Sequence, residues 1–135
     1  INMNIYNVKG NSMSPALKEG DLLFVKKSTS KNFKLKANDI IILNNPDNPN
    51  SYIIKRLIGL PNEKIEDINK RNYSLVIKTD NNISDYQLSI NEYFVIGDNH
   101  NYSTDSRHFG PIKYSEIIGK VILRIWPFYR IKYWF

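Results

Sequence analysis

The chain is 135 residues long, one domain's worth, and is 41% hydrophobic, 13% aromatic and 24% charged, which excludes a disordered tail. Lys and Arg number 19 against 13 acidic residues, and a net charge of +6 suits an anionic membrane surface or nucleic acid without choosing between them. Cysteine is absent, which rules out disulfide frameworks, thiol catalysis and Cys-based zinc sites.

Read in chain order, the apolar pattern is that of strands. Ile5, Val8, Leu22–Val25, Ile40–Leu43, Ile53–Leu60, Leu75–Ile77, Tyr93–Ile96 and Val121–Ile125 form short β-prone segments. Polar or Gly/Pro/Asn-rich punctuation separates them, as at Lys18-Glu19-Gly20-Asp21 and Asp80-Asn81-Asn82. Helical turns are expected only over Tyr114–Ile118 and Ala37–Asp39, and no segment carries a helical apolar stripe. Residues 27–39, 44–51 and 79–91 read as loops and hairpin excursions. The expected fold is mainly β: a single antiparallel, barrel-like or sandwich domain spanning residues 1–135.

No run approaches the ~20 apolar residues that span a bilayer. The chain starts at Ile1 without an initiator Met, so any membrane anchor is expected upstream. Residues 126–135 hold six aromatics with Arg130 and Lys132 between them. Two readings fit: strand and core aromatics, or an edge resting at lipid headgroups, where rings and basic tips both settle.

Three segments carry chemistry. In Gly10-Asn11-Ser12-Met13-Ser14-Pro15, a strand ends and a serine sits in a turn. Gly10 leaves the backbone approachable and Pro15 fixes the exit direction. A plain turn, with Ser12 and Ser14 bonded to their own backbone, fits as well. In Tyr52-Ile53-Ile54-Lys55-Arg56-Leu57-Ile58, alternation puts Lys55 on the face of Ile53 and Leu57, and Arg56 on the other. A lysine among aliphatic side chains loses hydration, its pKa falls, and it can serve as a general base. An edge-strand lysine whose head reaches water is the alternative. The third segment, Gly97 to Pro111, packs Asp98, Asn99, Ser103, Asp105, Arg107 and two histidines into one loop. Such a loop either builds a hydrogen-bond network that holds another segment's reactive group, or is simply solvated.

Together, and in this order, GNSMSPAL with GD, YIIKRLIGLP and GDNHNYSTDSRHFGPI resemble the type I signal peptidases. These are membrane-bound Ser-Lys peptidases that remove leader peptides from exported proteins. The resemblance implies a β catalytic domain in which Ser12 is the nucleophile and Lys55 the general base. It implies that Ser103 orients the lysine amine and that Asp98, Asp105 and Arg107 form an ion-paired frame. Gly10, Asn11, Met13 and Pro15 then belong to the substrate and oxyanion region. The Ser12 backbone N–H is the natural first oxyanion donor. Some members draw a second donor from a hydroxyl two residues before the nucleophile, where this chain has Gly10. His100 stands where the motif often has Arg, and the large domain some members insert after the lysine strand is missing.

No cofactor or metal is implied. The implied partners are precursor signal peptides and an anionic membrane surface, with the catalytic domain on the extracytoplasmic side and no nucleic acid. Cleavage is expected after small residues. A dedicated maturation protease for one partner protein is the alternative within the class. A His-based triad from His100 or His108 would leave Lys55 without a role. Outside the class, a basic nucleic-acid-binding β domain would stack Tyr129, Tyr133 and Trp134 on bases.

Overall fold

In the computed structural model, which describes residues 3–71 and 86–134, eight strands form one antiparallel sheet. They are β1 (Met3–Asn7), β2 (Leu22–Lys27), β3 (Ile40–Asn45), β4 (Asn48–Gly59), β5 (Glu92–Ile96), β6 (Ile112–Lys113), β7 (Ile117–Trp126) and β8 (Lys132–Tyr133). The order across the sheet is β1-β2-β7-β3-β4-β5-β6, with β8 added on β7. The mainly β, antiparallel expectation is met.

β3 explains why the sheet has apolar material on both faces. Its residues Ile40 to Leu43 are all buried, and they alternate between two clusters. Ile40 and Ile42 join Val8, Met13, Leu17, Leu23, Val25, Ile54 and Val121. Ile41 and Leu43 join Leu57, Val95, Ile112 and Ile117. Such a strand must lie inside the sheet, and it does, between β7 and β4.

β4 lies between β3 and β5, with Ile41 opposite Lys55 and Ile96 opposite Arg56. Lys55 is therefore interior; at 3% exposure, an edge lysine reaching water is ruled out.

Residues 44–51, read as a loop or hairpin excursion, form the tip of the β3–β4 hairpin, where Asn45 pairs with Asn48. The expected elements differ from the structure at three places. Helix α1 (Ile65–Arg71) is an additional element: its two turns bury only Ile65 and Ile68, too short a stripe to mark a helix in the sequence. Ala37–Asp39 is not helical: Asn38 has φ of 78° and donates its N–H to Leu57 O. Of Tyr114–Ile118 only Tyr114–Glu116 is a 3-10 turn, and Ile117 already begins β7. The segment Leu75–Ile77 and residues 79–85 lie outside the described residues. No helix among the described residues is long and apolar enough to cross a membrane.

The C-terminal aromatics divide. Trp126, Phe128, Tyr129 and Tyr133 are exposed, whereas Trp134 packs against the core and lies beneath Arg124 and Lys132. Arg130 turns inward and bonds the buried Asp21 at 3.1 Å, beside the buried Arg124. Trp134 and Arg130, which the lipid-edge reading would set at headgroups, are thus committed to the protein itself. Phe135 lies outside the described residues.

Candidate active site

The three chemistry-bearing segments meet. β4 carries Lys55 into the interior, β5 delivers the loop beginning at Gly97, and that loop lies against the Ser12 turn.

The loop's frame is Asp105. It caps the short helix α2 (Ser106–Phe109), its side chain accepting the Arg107 N–H at 3.1 Å. The Arg107 guanidinium grips the same carboxylate with two bonds of 2.9 Å, and the Gly97 N–H donates to it at 2.9 Å. Ser106 ties the helix to β5 by accepting the Val95 N–H. Burial works to raise the Asp105 pKa, but the donors from Arg107, Gly97 and Ser103 outweigh it and hold the carboxyl below its ordinary value. The buried carboxylate is therefore ionised, and Arg107 balances its charge.

Ser103 hangs between this carboxylate and Lys55. Its hydroxyl donates to Asp105 Oδ2 at 2.7 Å, and its oxygen accepts from Lys55 Nζ at 3.1 Å. Burial lowers the Lys55 pKa from 10.5; the Asp105 charge pulls it back up, and Arg107 pushes it down again. The net direction is downward, toward the neutral amine a general base needs.

The same loop holds the Ser12 turn. The Asn99 N–H donates to Ser12 O at 2.9 Å, and Asn99 Nδ2 donates to Asn11 O at 3.0 Å. Close approach requires Gly97: a Cβ there would collide with Ser103 and sit 2.6 Å from Ser12 O. Ser12 itself is half-buried. It borders a cleft of about 60 Å³ lined also by Val8, Met13, Tyr52, Ile53 and Ile54. Gly10, at φ of 75°, and Pro15 are exposed on the same turn, as is Asn11, whereas Met13 is core.

One expected partner is different. Asp98 does not join Arg107; it pairs with Arg56, at 3.1 and 2.6 Å. The physical reason is strand alternation: β5 runs beside β4, so the residue after Gly97 meets the cation on the face opposite Lys55. Arg56 is readable in the sequence as the second cation of a buried strand, but its partner lies 42 positions away. Asn99 gave no signal of its own, because an asparagine in a polar loop looks like any turn residue. Neither histidine forms a triad: His108 Nδ1 accepts the Asp105 N–H and its side chain is 54% exposed, while His100 Nδ1 meets Gly97 O.

The signal peptidase family, peptidase S26, matches residues 1–126. Mitochondrial inner membrane protease subunit 1 of Mus musculus is 35% identical over 119 residues, covering 88% of this chain and 67% of that protein. Signal peptidase IB of Staphylococcus aureus (strain MRSA252) is 32% identical over 155 residues, covering 95% and 80%. Among solved structures, a signal peptidase I from Enterococcus faecalis V583 is 29% identical with a TM-score of 0.48, covering 64% of this chain and 96% of that one.

Proposed function

The chain belongs to the signal peptidase family, peptidase S26, and is a serine peptidase of its type I class; we propose that it removes leader peptides with Ser12 as nucleophile and Lys55 as general base. The observation that carries this is the buried Lys55, its pKa lowered chiefly by burial, bonded to a loop that also holds the Ser12 backbone.

Ser12 Oγ attacks the scissile carbonyl carbon while neutral Lys55 Nζ takes the hydroxyl proton. The negative charge on the former carbonyl oxygen meets the Ser12 N–H. Collapse breaks the C–N bond, and the Lys55 ammonium returns the proton to the leaving amine. Water then attacks the acyl ester, Lys55 takes its proton, and the leader leaves as a carboxylate with Ser12 restored.

Cleavage follows small residues, a reading supported by the cleft beside Ser12, whose 60 Å³ suits an alanine-sized group. The precursor lies extended and gains main-chain hydrogen bonds from a sheet edge. The exposed Trp126, Phe128, Tyr129 and Tyr133 support work at a membrane surface, on the extracytoplasmic side from which leaders emerge.

The test is cleavage of a panel of leader-peptide precursors with sequencing of the products. Ser12→Ala and Lys55→Ala should each abolish cleavage, and the double variant should be little worse than either, since the two act as a unit. Substantial activity in either single variant overturns the assignment. Cleavage of one precursor alone would mark a dedicated maturation protease.

A further inference from the structure

Asn99 holds both peptide planes that flank Ser12. Its side-chain Nδ2 donates to Asn11 O and its backbone N–H to Ser12 O. Asn11 O and the Ser12 N–H belong to one peptide unit, and that bond is trans. In a trans peptide the carbonyl and the N–H point in opposite directions. Fixing Asn11 O therefore fixes the direction of the Ser12 N–H. The Ser14 N–H, which donates to the same oxygen at 3.1 Å, resists rotation from the other side. Among the described residues no acceptor takes the Ser12 N–H itself, so it is left for a ligand.

From this geometry, and on the reading of Ser12 as nucleophile, we propose that the Asn99 side chain is a positioning residue for the oxyanion donor. It touches neither substrate nor reacting atoms; it sets the angle of the peptide whose N–H meets the developing oxyanion. Gly97 and Asn99 lie two residues apart on one loop: the Gly97 N–H binds Asp105, the acceptor of the Ser103 hydroxyl, and Asn99 holds the nucleophile's backbone. An oxyanion donor acts on the transition state more than on bound substrate, because the charge it meets exists only there.

The experiment compares the full chain with Asn99→Ala, which removes the donor, and Asn99→Asp, which keeps the shape but faces Asn11 O with an acceptor. Both leave the backbone bond to Ser12 O in place. Ser12→Ala is run beside them. Kinetics use a leader-like peptide with Ala one and three positions before the cut, and inhibition uses the matching peptide aldehyde. The aldehyde forms a tetrahedral adduct with a serine and so reports on the oxyanion site. Loss of a whole donor costs about 10²–10³ in kcat, so misaiming it should cost roughly 10- to 100-fold. KM should stay within about twofold, aldehyde inhibition should weaken in step with kcat, and the pH profile should not move. Wild-type kcat in both variants, a loss confined to KM, or unfolding of both variants at the assay temperature would overturn the proposal. If Ser12→Ala retains activity, it is the nucleophile assignment that fails, which separates the two outcomes.

Discussion

Ser103 can only accept from Lys55. A hydroxyl has one proton, and Ser103 spends its proton on Asp105 at 2.7 Å. The 3.1 Å contact with Lys55 Nζ must then use a lysine N–H and a serine lone pair. A neutral amine has a single lone pair, and Ser103 leaves it untouched. The Asp105–Ser103 pair therefore turns the amine while keeping its basic electrons available for another proton.

From that relationship, Ser103→Ala should lower kcat by about 10- to 100-fold, no more than the low end of the roughly 10²–10⁴ that general-base catalysis contributes. It removes orientation and leaves the base in place. Ser103→Thr, which keeps the hydroxyl, should recover much of the rate. Wild-type kcat in Ser103→Ala would show that the hydroxyl does not orient the amine.

Gly97→Ala should be worse than its size suggests. The added methyl meets Ser103 on one side and the Ser12 carbonyl at 2.6 Å on the other. Overpacking costs typically about 1–3 kcal/mol, and here the groups displaced are those that set the reaction geometry. Thermal unfolding should show a moderate shift, while peptide cleavage falls by at least about a hundredfold, as geometric misplacement can cost. Activity near wild type would show that the loop yields without harm.

What the sequence disclosed and what it hid follow from the range of each signal. β3 was visible because four consecutive buried aliphatics need no partner to be recognised. Lys55 was visible as a cation in an apolar strand, and its burial decided between two readings the sequence left open. Helix α1 was not visible, since seven residues with two buried isoleucines scarcely differ from coil. The pairing of Asp98 with Arg56 depends on the β4–β5 register, and the grip of Asn99 on the Ser12 turn joins residues 88 positions apart. The inward turn of Arg130 depends on Asp21, 109 positions away. No local pattern carries such contacts.

Stability and activity should pull in opposite directions at Lys55. Burial lowers its folded-state pKa below 10.5, so between that lowered value and 10.5 the unfolded chain binds more protons than the folded one. Stability contributed by this group therefore rises with pH across that window, and below it the buried ammonium is a constant cost. Lys55→Met removes the charge and keeps the length. It should unfold at a higher temperature than wild type at neutral pH, flatten the rise toward alkaline pH, and have no peptidase activity. Cleavage by wild type should increase with pH through the same lowered pKa, because only the neutral amine accepts the proton. A Lys55→Met variant less stable than wild type would show that the Ser103 and Asp105 contacts more than offset the burial.

The exposed aromatics give the last prediction. Trp126 and Phe128 have ring centroids 5.8 Å apart, and Phe128 and Tyr129 5.9 Å, so the three rings form one patch. They are 51%, 67% and 77% exposed, and Lys132 stands exposed nearby in sequence. Arg130 does not reach lipid phosphates directly, because its guanidinium is held by Asp21. Attraction to anionic lipid should come from the +6 chain as a whole and from Lys132. Co-sedimentation with anionic vesicles should therefore weaken with salt without vanishing, since ring burial is not screened. Trp126→Ser with Phe128→Ser should reduce binding about tenfold or more, the equivalent of about 1.4 kcal/mol, at low and high salt alike. Lys132→Gln should matter only at low salt. Arg130→Gln should lower the unfolding temperature and leave vesicle binding nearly unchanged, because it breaks an ion pair with a buried carboxylate. Wild-type chain that stays in the supernatant at low salt would show that this patch does not engage lipid.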